Sequence, residues 1–166
     1  MVAVQRQTAR VLPVNRRGEV LLLFGRDPAR PDAPYWFTIG GAVEPDEALV
    51  DAAVRELHEE TGIEIHPDQL IGPLHRGTHA FSFDGRDHVS DSTFFAVSVQ
   101  EVAVTFDGME EGEVENIFEA RWWAPTDLAE GSSLSNLNLP AIAQLAVDAV
   151  SSGSSAAGRR SGRRPS

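Results

Sequence analysis

Glu56, Glu59 and Glu60 stand at i, i+3 and i+4, a spacing that puts all three carboxylates on one face of a helix. Like charges packed this closely repel unless a cation sits among them. Hard carboxylate oxygens suit Mg²⁺ or Mn²⁺ rather than zinc, and Mg²⁺ keeps coordination positions for substrate phosphates. The pattern points to a platform for a metal–pyrophosphate complex. Taken alone, three carboxylates are more often a solvated acidic helix face. Their surroundings shift the balance: Gly40-Gly41 lies upstream, Arg55 follows Glu47 by eight positions, and Gly62 closes the segment. A glycine pair lets backbone approach a site closely, so a carbonyl there could complete a metal's coordination. Positions 47 and 55 are about two helical turns apart, so Arg55 can reach back to Glu47, brace the helix and leave the acidic face free.

The elements that must position these groups are legible in outline. Glu47 to Glu60 reads as the clearest helix, with Pro45 and Asp46 at its start, Asp46 as N-cap, and Gly62 past its end. Leu49, Ala52, Ala53 and Leu57 give it an apolar face. Ala9 to Val14 and Val20 to Phe24 are β-prone runs around the turn signal Asn15-Arg16-Arg17-Gly18 and predict a hairpin. Asp27 to Pro34, with three prolines and two aspartates, predicts a loop before a short strand over Tyr35 to Ile39. Further strands are expected over Leu70 to Leu74, Gly77 to Phe83, His88 to Val99 and Phe118 to Ala124, with Asp84-Gly85 as a hairpin turn. A last helix is expected over Leu139 to Val150, with Pro140 in its first turn. This order of elements predicts a mixed α/β or α+β fold with helices packed on a sheet.

Composition narrows the function class. A chain of 166 residues suits one domain with a genuine core. It has no cysteine, which removes disulfides and thiolate chemistry. No apolar run is long enough to span a bilayer, and the first ten residues lack the apolar stretch of a signal peptide. A cytoplasmic protein is the simplest reading. Net charge is −11, all 14 basic residues are arginine, and four of them fall at 159, 160, 163 and 164. Without those four charges, −11 becomes −15 for the rest of the chain. An acidic body repels phosphate backbones, which argues against generic nucleic-acid binding. Residues 151–166 form a Ser/Gly/Arg tail expected to be disordered, which places the domain at 1–150.

The segment Gly41 to Ile63 resembles the Nudix box, G-x5-E-x7-R-E-U-x-E-E-x-G-U with U aliphatic. Gly41, Glu47, Arg55, Glu56, Leu57, Glu59, Glu60, Gly62 and Ile63 match every defined position, and fixed spacing at that many sites is a specific signal. Two departures lie beside it: Thr38-Ile39 stands where many family members have Leu-Pro, and Asp46 replaces a frequent glycine. The resemblance, MutT-like in kind, implies an α/β/α sandwich around a mixed central sheet. It implies a magnesium-dependent (or manganese-dependent) pyrophosphohydrolase that cuts a phosphoanhydride bond in a nucleoside diphosphate linked to another moiety, such as a (d)NTP or a nucleotide sugar. By residue match, Glu56 and Glu60 look like the principal metal ligands, Glu59 like a ligand or a base acting on water, and the Gly41 carbonyl like a further ligand. Glu47 and Arg55 look like the structural salt bridge.

In some family members the base is a glutamate outside the box, ahead of a Trp-x-Pro-like segment. Trp122-Trp123-Ala124-Pro125 resembles that segment, which makes Glu115 the outside candidate, with Glu111 and Glu113 behind it. Trp36 could stack on a base or pack in the core. Arg26 and Arg10 could meet phosphate or serve as ordinary surface residues. Phe81 lies near a position where some relatives place a stacking aromatic, and a strand core role is the competing reading. The histidines show no zinc-ligand pattern. A catalytically inactive nucleotide-binding regulatory module and an RNA 5′-end pyrophosphohydrolase are the alternatives, and a homodimer is an open expectation because dimers are common in the family. Substrate identity is not readable from the box.

Overall fold

One long strand organises the sheet. β1 (Val4–Val14) runs parallel to β6 (Arg86–Ser98) along its whole length, from Val4↔His88 to Val14↔Ser98. Its other edge is shared. β4 (Ile39–Ala42) takes residues 8–11, from Thr8↔Ala42 to Val11↔Ile39, and β2 (Val20–Asp27) touches it only at Val14↔Val20. The described residues of this computed structural model are 3–100, 104–106, 108–109, 116–128 and 133–159.

The expected β1–β2 hairpin is therefore a sharp reversal and little more. Asn15 makes the turn: its N–H donates to the Glu19 carbonyl, and its side-chain oxygen accepts from the N–H groups of Arg17 and Glu19. The two strands then part, because β2 pairs instead with β3 (Arg30–Phe37) on one side and β7 (Ile117–Trp123) on the other. The seven-stranded mixed sheet is thus two parts, one around β1 and one around β2, joined at a single residue pair.

The loop expected over Asp27 to Pro34 is a correction. Most of it is β3, an edge strand that among the described residues pairs only with β2, apart from a bridge between Trp36 and Leu134. Pro31 and Pro34 are tolerated there because an edge strand leaves N–H positions that need no partner. Asp27, which is buried, anchors the reversal by accepting from the N–H of Ala29. It also accepts from the N–H of Asp84, at the tip of the distant β5–β6 hairpin. β5 (Ile71–Phe83) is one strand where two were expected, with an irregularity in pairing between Ile71 and His75. The Asp84-Gly85 turn forms as expected. Both residues have positive φ, 49° and 74°, the requirement of a type I′ turn.

Alternation along the strands sorts side chains to two faces. Ala9, Val11, Leu21, Leu23 and Ile39 meet Ala52, Ala53 and Leu57 of helix α1 (Leu49–Thr61). Leu12, Val14, Val20, Leu22, Phe94 and Ala96 meet Leu139, Ile142, Ala143 and Ala146 of the last helix. A short helix, α2 (Pro125–Leu128), precedes that last helix, α3 (Leu139–Arg159). The result is a mixed sheet with a helical layer on each face, the sandwich expected. The boundary placed after Val150 falls inside α3, whose backbone continues through Arg159. The serines and alanines after Val150 do not break a helix already started on a packed face. Residues 160–166 lie outside the described residues. No helix among the described residues is long and apolar enough to cross a membrane.

Candidate active site

Helix α1 buries small residues, Ala52 and Ala53, so its axis lies close to the sheet. That closeness decides what its last two turns can reach. Glu56 and Glu60 are turned inward and are only 8% and 5% exposed, whereas the Glu59 side chain is 42% exposed. Buried carboxylates are costly unless hydrogen-bonded or paired, and the negative end of a helix dipole makes the last turn a poor place for them.

Two neighbouring glycines of β4 receive them. The Gly40 N–H donates to Glu60 Oε2 at 3.0 Å. At Gly41 a Cβ would stand 2.5 Å from Glu56 Oε1, so the missing side chain is the space Glu56 occupies. Gly40 has φ of 145°, a backbone region that favours glycine.

Arg55 supplies the compensating charge. Its Nε and Nη2 donate to the two oxygens of Glu47, both at 2.9 Å, the fork geometry that guanidinium and carboxylate favour. Nη2 also donates to the Ala42 carbonyl at 3.1 Å, and Nη1 to Glu56 Oε1 at 2.9 Å and Glu59 Oε2 at 3.4 Å. The Glu47–Arg55 brace is therefore as the sequence predicted. The expectation that this pair would leave the acidic face free is a correction: Arg55 Nη1 is long enough to reach past Glu47 into that face and pair with Glu56 and Glu59. Hydrogen bonding to Arg55 holds the Glu47 carboxyl down at about 2, and the same bond raises the Arg55 pKa.

The start of the helix differs from expectation. α1 begins at Leu49, and its N-cap, Ala48, makes no side-chain capping bond. Asp46, expected as the cap, sits instead at φ 62° in a tight turn. The physical reason is Glu47, whose carboxylate accepts from the Glu44 N–H at 3.0 Å as well as from Arg55. This fixes residues 44–47 as a turn. Gly62 ends the helix in the left-handed region, φ 78°, as predicted.

Among the described residues no three acidic or histidine side chains form a ready-made metal cage, and Arg55 Nη1 lies between Glu56 and Glu59. The donors nonetheless fit a hard divalent cation in kind: three carboxylates beside the peptide groups of Gly40 and Gly41. The other candidates stand elsewhere. Trp36 is a correction: it is buried in the core on the α3 face. Its ring lies 4.7 Å from Phe24 and 5.0 Å from Trp123, with the Arg121 guanidinium 5.2 Å away. Arg26 donates to Asn116 Oδ1 at 3.3 Å and lies over the Phe118 ring. Phe81 pairs across the strands with His88 and stacks between His88 and His79, at 5.2 and 5.9 Å. Glu111, Glu113 and Glu115 lie outside the described residues.

Arg10 is the residue that sequence reasoning undervalued. Strand alternation gives its face but not its depth. It is partly buried, and desolvation pulls its pKa down against the opposing influence of Glu60. Its Nη1 donates to the carbonyls of Thr38, at 3.2 Å, and Gly40, at 3.1 Å.

Comparison with known proteins gives a consistent picture. The family model described as NUDIX domain matches residues 4–143. A CTP pyrophosphohydrolase of Escherichia coli (strain K12) is 50% identical over 64 residues, 38% of this chain and 46% of that protein. A putative 8-oxo-dGTP diphosphatase of Bacillus subtilis (strain 168) is 39% identical over 70 residues, 42% of this chain and 44% of that protein. Both alignments span less than half of the relative's length. In fold, the chain is similar to the dihydroneopterin triphosphate pyrophosphohydrolase of E. coli, with a TM-score of 0.63 at 20% identity over 88% of this chain and 99% of the other.

Proposed function

Since this chain belongs to the Nudix family, we propose that it is a divalent-metal-dependent pyrophosphohydrolase that cleaves a phosphoanhydride bond in a nucleoside diphosphate linked to another moiety. The observation that carries this reading is the seating of two buried carboxylates, Glu56 and Glu60, against the bare backbone of Gly40-Gly41. A helix evolved only for packing would place apolar groups there. Glycines cleared of side chains next to paired carboxylates serve a ligand better than they serve stability.

Glu56, Glu60 and the Gly41 carbonyl are the groups to hold Mg²⁺ or Mn²⁺, with Glu59 at the exposed side. When bound, the ion supplies charge neutralisation to the pyrophosphate oxygens. The protein's own part is positional. Arg55, fixed by Glu47, keeps Glu56 and Glu59 from repelling one another apart. Glu59, the most exposed of the three, is the residue to orient a water and take its proton as the water attacks phosphorus in line. The P–O bond to the leaving phosphate breaks as the new one forms, giving a nucleoside monophosphate and a phosphorylated remainder. The relatives named for CTP and 8-oxo-dGTP favour a nucleoside triphosphate, ordinary or modified, as the first substrate class to try.

The test is a nucleotide panel with Mg²⁺ and product identification, comparing the native chain with E60Q. We expect turnover of at least one nucleoside triphosphate or nucleotide sugar, and a loss in E60Q of more than about 100-fold in kcat, beyond the effect typical of groups that merely support a ligand. No product on any substrate, or full activity in E60Q, would overturn the reading. E59Q and E115Q, compared side by side, assign the base: its loss lowers kcat by about 10²–10⁴-fold and removes the acidic limb of the pH profile.

A further inference from the structure

We propose that Arg10 is a positioning residue for this site: its guanidinium pins strand β4 in the one placement that lets Gly40 serve Glu60 and Gly41 serve Glu56. The inference rests on the function proposed above and extends it to a residue outside the box. Three observations carry it.

The first is the pair of hydrogen bonds from Arg10 Nη1 to the Thr38 and Gly40 carbonyls. These peptide groups flank Ile39, at the very start of β4. The second is the fit around Gly40. A Cβ there would meet the Ala9 carbonyl and, at 2.8 Å, both Cα and Cδ of Arg10. Gly40 must be bare first because the backbone of Ala9 and Arg10 crowds it at a positive φ, and the stem of Arg10 lies across the same space. The third is that Gly40 holds both bonds at once: its carbonyl accepts from Arg10, and its N–H donates to Glu60. The next residue, Gly41, faces the other way and clears Glu56. Arg10 thus grips the strand on the sheet face opposite α1, and the two carboxylates use it from the α1 face.

Withdrawing a guanidinium from water, even in part, is costly unless it is paired or hydrogen-bonded. Here its two acceptors are neutral carbonyls, so a purely structural purpose would be met more cheaply by an apolar side chain. A fixed positive charge close to Glu60 and Glu56 is what such a side chain would lack. Groups that orient metal ligands without touching the ion alter metal affinity by about 10–100-fold when removed.

The experiment uses the full chain as R10M, R10Q and R10K, with three readouts. These are Mn²⁺ affinity without substrate, exchange of the Gly40 amide by NMR, and thermal stability. We expect Mn²⁺ binding to weaken by about 10-fold in R10M and R10Q and the Gly40 amide to exchange faster. R10K, which keeps the charge on a single donating nitrogen at a shorter reach, should recover part of both. If R10M fails to fold, R10K against R10Q still decides the matter, because the lysine keeps a positive charge that can donate to both carbonyls and the glutamine does not. Mn²⁺ affinity unchanged within twofold in all three variants, with a raised KM for the nucleotide, would overturn the proposal and make Arg10 a substrate contact. Loss of affinity in proportion to lost thermal stability, with no recovery in R10K, would reduce it to a packing residue. A native chain that binds no Mn²⁺ would sink the reading of the site itself, and this inference with it.

Discussion

The two long helices pack on opposite faces of one sheet and bury different chemistry. α3 contributes Leu139, Ile142, Ala143 and Ala146, all apolar and all at most 1% exposed. α1 contributes Ala52 and Ala53 from its first half, then Leu57 together with Glu56 and Glu60 from its second. The α3 face is held by area removed from water, on the order of 1.5–3 kcal/mol for a fully buried leucine or isoleucine. The later turns of α1 are held by a polar frame: Arg55, Glu47, the Ala42 carbonyl and the Gly40 N–H. One helix is built for stability, and the other gives up part of its stability to keep carboxylates near a ligand.

That contrast can be broken by substitution. I142A should cost about 2–5 kcal/mol of stability, because a buried side chain is removed from a packed face. It should leave kcat within about twofold at temperatures where the protein stays folded. E60Q should do the reverse, losing turnover while its melting temperature holds or rises. Thermal melts and kinetics on the same preparations decide it. Equal stability losses in both variants would mean the two faces are not different in kind.

The Glu47–Arg55 brace should have an intermediate effect with a distinct pH signature. The Glu47 pKa is lowered to about 2 in the folded chain, below its unfolded value. Its contribution is therefore fully present above the unfolded pKa near 4.3 and is lost as pH falls towards 2. E47Q should lower stability at pH 7 by about 1–3 kcal/mol, a range between surface and buried pairs. It should also flatten the decline in stability between pH 5 and 2. Urea midpoints measured across that range check both.

At the far tip of the sheet, G85A should cost only about 1 kcal/mol. A Cβ at 85 meets nothing within 4 Å, so the penalty is the positive φ alone. Activity should not change.

The site was more legible in the sequence than its supports. Residues 49–62 act through helical spacing, which is a property of the local chain. The terminating glycine could be read from it, whereas Glu47 meets Arg55 from a turn before the helix, and of the three carboxylates only Glu56 and Glu60 are turned inward together. What could not be read was how residues far apart in the chain meet. Asp27 looked like a loop residue, yet it is buried and ties the β2–β3 reversal to the tip of β5–β6. Pro31 and Pro34 signalled a loop because proline cannot donate in a ladder, and that objection vanishes on an edge. Trp36 was open between substrate and core, and only the positions of Phe24 and Trp123 choose. Arg10 was open between phosphate contact and an ordinary surface role, because periodicity carries no information about which carbonyls its guanidinium meets.

The parallel pairing of β1 with β6 has a consequence for how the chain comes together. Thr8 and Ser92, whose hydroxyls lie 2.7 Å apart, are separated by 84 residues. A nascent chain that has emerged through Ile63 already carries the whole acidic motif. Its central strand still lacks the neighbour that covers one full edge. Contacts this distant in sequence are late and slow to form, so during synthesis that bare edge is where a chaperone, or a stray second strand, has its opportunity.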